Sequence, residues 1–143
     1  MEINQESTIN LVMRAAKNTK RPLSLIIQSS EFSRIHYGLI MAAAATATDR
    51  PITLFFSMGA VRALTPLWGR EEDTSVAKKG LATFSELMTA IIEIGADFKV
   101  CETSLTSEGL TLNDLRADIE LRIAGVVTIL AEADKEGSHL VFI

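Results

Sequence analysis

Two short apolar runs, LSLIIQ at residues 23–28 and ITLFFS at residues 52–57, stand one helix-length apart. Both carry apolar side chains on their two faces, the mark of strands covered by helices on each side of a parallel sheet. A parallel pair needs a crossover, and the intervening segment supplies one. It opens after Ser29-Ser30, runs through the apolar stretch Gly38 to Ala45, and stops at Asp49-Arg50-Pro51, where the residue before proline avoids the helical region. Ser30 is the expected helix cap. Three further strands follow helical patterns or glycine breaks: DFKVC (97–101), IELRI (119–123) and HLVFI (139–143). The prediction is a three-layer α/β/α sandwich around a largely parallel five-stranded sheet.

The helix ends are legible in places. Thr83-x-x-Glu86 forms a capping box before SELMTAIIEI, whose Leu87, Met88, Ile91 and Ile92 make one apolar face, and Gly95 is its expected stop. Thr111-x-x-Asp114 reads as a shorter cap of the same kind, and residues 124–135 as the last helix. Residues 1–20 read as an extension, an amphipathic helix through Ile9, Val12, Met13 and Ala16, ahead of a domain spanning 21–143. The least regular stretch, Thr65 to Gly80, reads as a long loop, a lid or interaction segment.

With 143 residues, 48% of them hydrophobic and 22% charged, the chain has the balance of one globular domain. Its net charge of −4 comes without a basic cluster, which argues against a nucleic-acid partner. The longest apolar run falls short of the roughly 20 residues that span a bilayer, so no membrane span is expected. The N-terminus lacks the apolar core of a secretory signal, which predicts a cytoplasmic protein. One cysteine and two histidines are a sparse basis for a metal site. Neither Gly59 nor Gly125 begins a dinucleotide or P-loop motif, so no nucleotide cofactor is expected.

In such a sheet the strand ends and the following helix starts line one edge, where ligands bind. The segments placed there contain Ser29, Ser30, Met58, Gly59, Cys101, Glu102, Thr103 and Gly125. Cys101 ends the third strand before a turn in which Thr103 or Ser104 could begin a helix, and helix-start N–H groups stabilise a thiolate. Glu102 opposes that ionisation. The residues alone leave two readings open: a reactive thiol, or a small hydrophobe filling a strand end. Arg62 stands close enough to the second strand to reach the edge and steady an anionic sulfur, or to be a solvated charge. His36 reads as a surface or subunit-contact residue and His139 as structural. Trp68, with Leu67, is an anchor for a neighbouring subunit or for the local core. Met41, Met58 and Met88 read as core fillers rather than a metal box.

From about residue 22 onward the chain resembles the DsrE/DsrF-like family of small sulfur-relay proteins. The likeness is carried by the first strand and its Ser-Ser turn, by ITLFFSMGAVRAL, by GADFKVCETSLTSEGL, and by AGVVTILAEADKEGSHLVFI at the end. The third of these enters Cys101 from a strand and reaches Gly109 after seven residues, as in members whose cysteine carries a persulfide. Where some carriers have a basic residue before that glycine, this chain has Ser107-Glu108. The resemblance implies a homotrimer or homohexamer without cofactor, a sulfurtransferase-type carrier that takes sulfane sulfur onto Cys101 from a donor protein and passes it to an acceptor. Thr103, Ser104, Ser30 and Arg62 would surround the anionic sulfur. The competing expectation is a non-enzymatic ligand-binding or assembly module with an inert Cys101. A carrier needs a path from solvent to the sulfur atom.

Overall fold

The computed structural model describes Thr8, Ile9 and residues 20–143. Thr8 and Ile9 are helical; the rest of the expected N-terminal helix lies outside the described residues. Five strands, β1 (Leu23–Ile27), β2 (Ile52–Phe56), β3 (Asp97–Cys101), β4 (Leu121–Ala124) and β5 (His139–Phe142), form one sheet in the order β4-β3-β2-β1-β5, every pairing parallel. Helix α1 (Phe32–Ala47) joins β1 to β2. After β2 come a 3₁₀ segment (Met58–Leu64), α2 (Arg70–Lys78) and α3 (Phe84–Ile94). The short α4 (Glu102–Ser107) follows β3, and α5 (Val126–Glu136) joins β4 to β5.

The strand order decides how the faces are covered. From β1 to β4 the chain steps in one direction, and right-handed crossovers keep the intervening helices on one face. The return from β4 to β5 reverses direction and carries α5 to the other face. Accordingly Leu25, Ile27, Leu54, Phe56, Phe98 and Val100 share a core with α1 and α3, supplied by Ile35, Leu39, Met88 and Ile91. The opposite face holds a much smaller cluster: Ile26, Phe55 and Cys101 under Ile129 of α5. Only Ile129 and Ala133 of that helix are buried, whereas α1 buries five residues. Among the described residues the sheet is therefore well sealed on one side and thinly covered on the other.

Several local expectations change. Ser30 does not cap α1; Glu31 occupies the cap position without a side-chain bond, and the Ser29 hydroxyl accepts from the Glu31 N–H at 3.0 Å. Thr83 caps α3 as predicted, its hydroxyl accepting from Glu86 N–H at 3.1 Å, but the Glu86 carboxylate accepts from that same hydroxyl at 3.0 Å instead of completing a box; the Thr111–Asp114 box forms in full. β4 lies two residues later at its start than the apolar pattern indicated, and α5 begins at Val126.

The 65–80 stretch is no loop, because it contains α2. This helix has no buried residue and hence no apolar periodicity to read. Its order comes from elsewhere. Glu71, Glu72 and Asp73 lie at its positive end and Lys78 at its negative end. Asp73 also accepts from the N–H groups of Phe84 (2.7 Å) and Ser85 (3.0 Å), tying α2 to the start of α3. Gly69 turns the chain into α2 at φ +78°, and a Cβ there would meet the Phe32 ring at 2.9 Å, so only glycine fits. Trp68 packs locally, with ring centroids 5.0 Å from Phe84 and 5.6 Å from Phe32. His36 stacks on Phe32 and lies 2.7 Å from the Ala82 carbonyl, while His139 contacts Arg21 and Arg50. Met41 and Met88 fill core space, but Met58 is 61% exposed and is not a core residue.

Candidate functional site

The C-terminal ends of β1, β2 and β3 bring three turns together. Met58 sits in the left-handed region at φ +50°, uncommon for a residue with a Cβ, and its N–H donates to the Ser104 hydroxyl at 2.6 Å. The Ser57 hydroxyl donates to the Ile27 carbonyl at 3.2 Å. Gly59 lies against Ser30 so closely that an added Cβ would stand 2.9 Å from the Ser30 Cβ. Ser30, Met58, Gly59 and Ser104 are thus one contact group. In it the Ser104 hydroxyl braces the β2 turn instead of standing open to an anion.

Cys101 closes β3 opposite Ala124 of β4 and occupies the cap position of α4. The N–H groups of Thr103 and Ser104 belong to the first turn of that helix, where intrahelical acceptors run out. Strand alternation points the thiol to the α5 face, among Ile26, Phe55, Ile129 and Ala124. There Cys101 is buried, 6% exposed in the single chain. A crevice of about 110 Å3 between α5 and the sheet uses Ile26, Phe55 and Ile129 as walls, with Val126, Leu130 and Phe142 at its outer side. Those three inner walls also pack on Cys101.

Of the other expected partners, Arg62 is committed elsewhere: its Nε donates to Glu108 Oε2 at 2.8 Å and its Nη2 to the Glu108 carbonyl at 3.0 Å. The residue that replaces the basic side chain of some carriers thus absorbs the guanidinium expected to steady sulfur. Thr103, Glu102 and Gly125 are exposed at the edge, and Ser29 is half-buried.

Lys99 was not singled out among the candidates. It lies two residues before Cys101 on the same sheet face, is 8% exposed, and its amine bonds Glu132 of α5 and Asp97, the latter at 3.3 Å. A lysine inside an apolar strand, in step with the cysteine, was the available signal. Burial is the largest influence on its amine and acts downward, but the hydrogen bonds and charges of Glu132 and Asp97 together outweigh it and hold the amine above the ordinary lysine value. The Lys99 hydrogen bond, with its charge, holds the Glu132 carboxyl below its ordinary value of 4.5.

A pH dependence follows. Glu132 titrates lower in the folded chain, so its contribution is present above 4.5 and is lost as pH falls through the folded value. Lys99 titrates higher, so its share is complete below 10.5 and is lost as pH rises through the folded value. Glu132→Gln is expected to melt below wild type at neutral pH, with the gap closing in acid. A gap of constant size across that range would refute the coupling.

Among the described residues no group of three His, Cys, Asp or Glu side chains is placed to hold a metal ion, and no helix is long and apolar enough to cross a membrane. The model of the DsrE/DsrF-like family matches residues 24–142, which contain β2 to β5, all of β1 but Leu23, and the edge just described. The chain belongs to the DsrE/DsrF-like family. Membership places it with proteins of sulfur relay. Among solved structures it is similar to MTH1491 of Methanobacterium thermoautotrophicum, a protein of unknown function, with TM-score 0.56 and 15% identity over 87% of this chain and 100% of that one. At that identity the likeness concerns the fold. No curated protein matches.

Proposed function

We propose that this DsrE/DsrF-like protein carries sulfane sulfur on Cys101. The observation that supports the reading is the position of Cys101, at the end of β3, at the start of α4, on the sheet face that among the described residues is covered by α5 alone. In the transfer step the Cys101 thiolate attacks the outer sulfur of a donor persulfide, R–S–SH. The donor S–S bond breaks, its electron pair leaves on R–S⁻, and Cys101 becomes a persulfide. Attack by an acceptor thiolate on the outer sulfur of that persulfide reverses the sequence and returns the thiolate. Atoms and charge balance without any further oxidant. The N–H groups of Thr103 and Ser104 are the donors nearest in sequence for the anionic sulfur.

Burial of the thiol sets a condition: α5 must open for sulfur to enter. The helix is held by two buried side chains and the Lys99–Glu132 pair, the pattern of a segment that opens locally before the domain unfolds. A closed α5 would shield the persulfide from water and stray thiols between transfers.

The second reading, an inert Cys101 in a ligand-binding or assembly module, is favoured by the same burial. Intact mass separates the two. Incubated with a persulfide donor, the native protein is expected to gain one sulfur atom per chain, and Cys101→Ser none. No gain in wild type, or equal gain in the variant, ends the carrier reading.

The partners in this reading are a donor protein, an acceptor protein and further copies of the chain, as a trimer or hexamer. Support for self-association is an apolar surface beside α5: Val127 is 82% exposed, with Val126, Leu130, Leu140 and Phe142 also open.

A further inference from the structure

We infer that the protein has a second ligand site, on the sheet face opposite Cys101, that takes a small organic anion with a flat apolar part. It is the cleft of about 760 Å3 bounded by the 65–70 segment, α2, the start of α3 and residues 116–118. That volume lies within the range of small-molecule sites. Nothing in the sulfur chemistry of Cys101 uses it: the segments that bound it belong with the α1 and α3 side of the sheet, whereas the thiol lies under α5.

Two features of the lining set the class of ligand. The first is a rigid aromatic wall. Trp68 packs edge-on to Phe84 at 66° and stacks on Phe32, so its ring is fixed before anything binds. Beside it Leu67 is held at φ +70° with its side chain 66% exposed. An apolar side chain kept in the left-handed region, and kept facing water, gains nothing from the fold of the single chain.

The second is charge. Four charged side chains line the cleft, and three are already matched. Asp73 is spent on the N–H groups of Phe84 and Ser85. Asp118 takes a two-pronged bond from Arg116, both distances 2.7 Å. The exposed guanidinium of Arg70 has no carboxylate partner among the described residues. The four charges of the lining cancel in number, but the Arg70 side chain alone among them has no bonded partner among the described residues, so its guanidinium, adjacent to an aromatic wall, is the group left to receive an anion, and Arg116 keeps N–H groups beyond the two that Asp118 accepts. An aromatic or otherwise planar carboxylate, sulfonate or phosphate ester satisfies both features at once.

Trp68 is the sole tryptophan of the chain, so the cleft carries its own reporter. The probe is 8-anilinonaphthalene-1-sulfonate, compared with N-phenyl-1-naphthylamine, which has the same rings and no sulfonate. Saturable binding of the sulfonate with energy transfer from Trp68 is expected. Arg70→Gln should weaken it about tenfold, the effect of one charge-assisted hydrogen bond, while leaving the neutral probe unchanged. Arg70→Lys should restore most of the affinity and show that the variant chain folds. Binding that is lost in Val127→Asp would place the dye on the apolar surface near α5 and overturn the assignment. So would an unchanged affinity in Arg70→Gln, or an absence of saturable binding. Sulfur loading of Cys101 is expected to be the same in Arg70→Gln and wild type, so the two sites fail or stand separately.

Discussion

Ile129→Ala is expected to speed alkylation of Cys101 in the native protein by about a hundredfold. Ile129 is the one large buried side chain of α5, 3% exposed, and it closes the small cluster that contains the thiol. Removing a buried isoleucine side chain costs about 2–5 kcal/mol, part of it lost transfer energy and part the cavity left behind. If α5 opens as a unit, most of that cost falls on the closed state of this helix alone. Each 1.4 kcal/mol then multiplies the open fraction tenfold. Lys99 and Glu132 would still hold the helix by one point, so labelling should stay slower than in denaturant. The measurement is the iodoacetamide rate, read by mass, beside hydrogen exchange of β2. An unchanged rate would mean that sulfur reaches Cys101 by another path. A rise matched by loss of β2 protection would mean that access comes only with global unfolding, and the gate would be abandoned.

If the chain self-associates as proposed, the double substitution Val127→Asp with Leu130→Asp should leave single chains. Both side chains face water in the isolated chain, at 82% and 43% exposure, so charge there costs the monomer little. In an assembly that covers them, two carboxylates would be buried without partners, a cost of several kcal/mol for each contact surface. Sedimentation velocity at micromolar concentration gives the mass. If wild type already sediments as one chain, the self-association proposal fails; if the variant keeps the wild-type mass, a different surface makes the contact. The melting temperature of the variant should remain close to that of a monomer, because neither side chain contributes to the core.

What the two experiments probe was not equally legible beforehand. The alternation of strands and helices, the parallel sheet, the Thr83 cap and the place of Cys101 at a strand end follow from short-range patterns, since alternation, capping and proline act over a few residues. Helix α2 leaves no signal in the sequence because its stabilisation comes from end charges and from Asp73 reaching across to α3, neither of which leaves an apolar stripe. Met58 looks like core from its sequence because its hydrophobicity is visible there and its left-handed backbone is not.

By itself, then, the order of residues determined the class of fold, both ends of α3, and that the single thiol would close a strand just before a helix start, because each of these is decided by neighbours along the chain. Tertiary structure alone decided which face the thiol would meet and how thickly that face is covered. The reversal from β4 to β5 lays one lightly anchored helix over Cys101, and the pairing of Arg62 with Glu108 takes away the cation expected beside it. Such contacts join residues dozens of positions apart, and their energies depend on strand order, which no local pattern encodes.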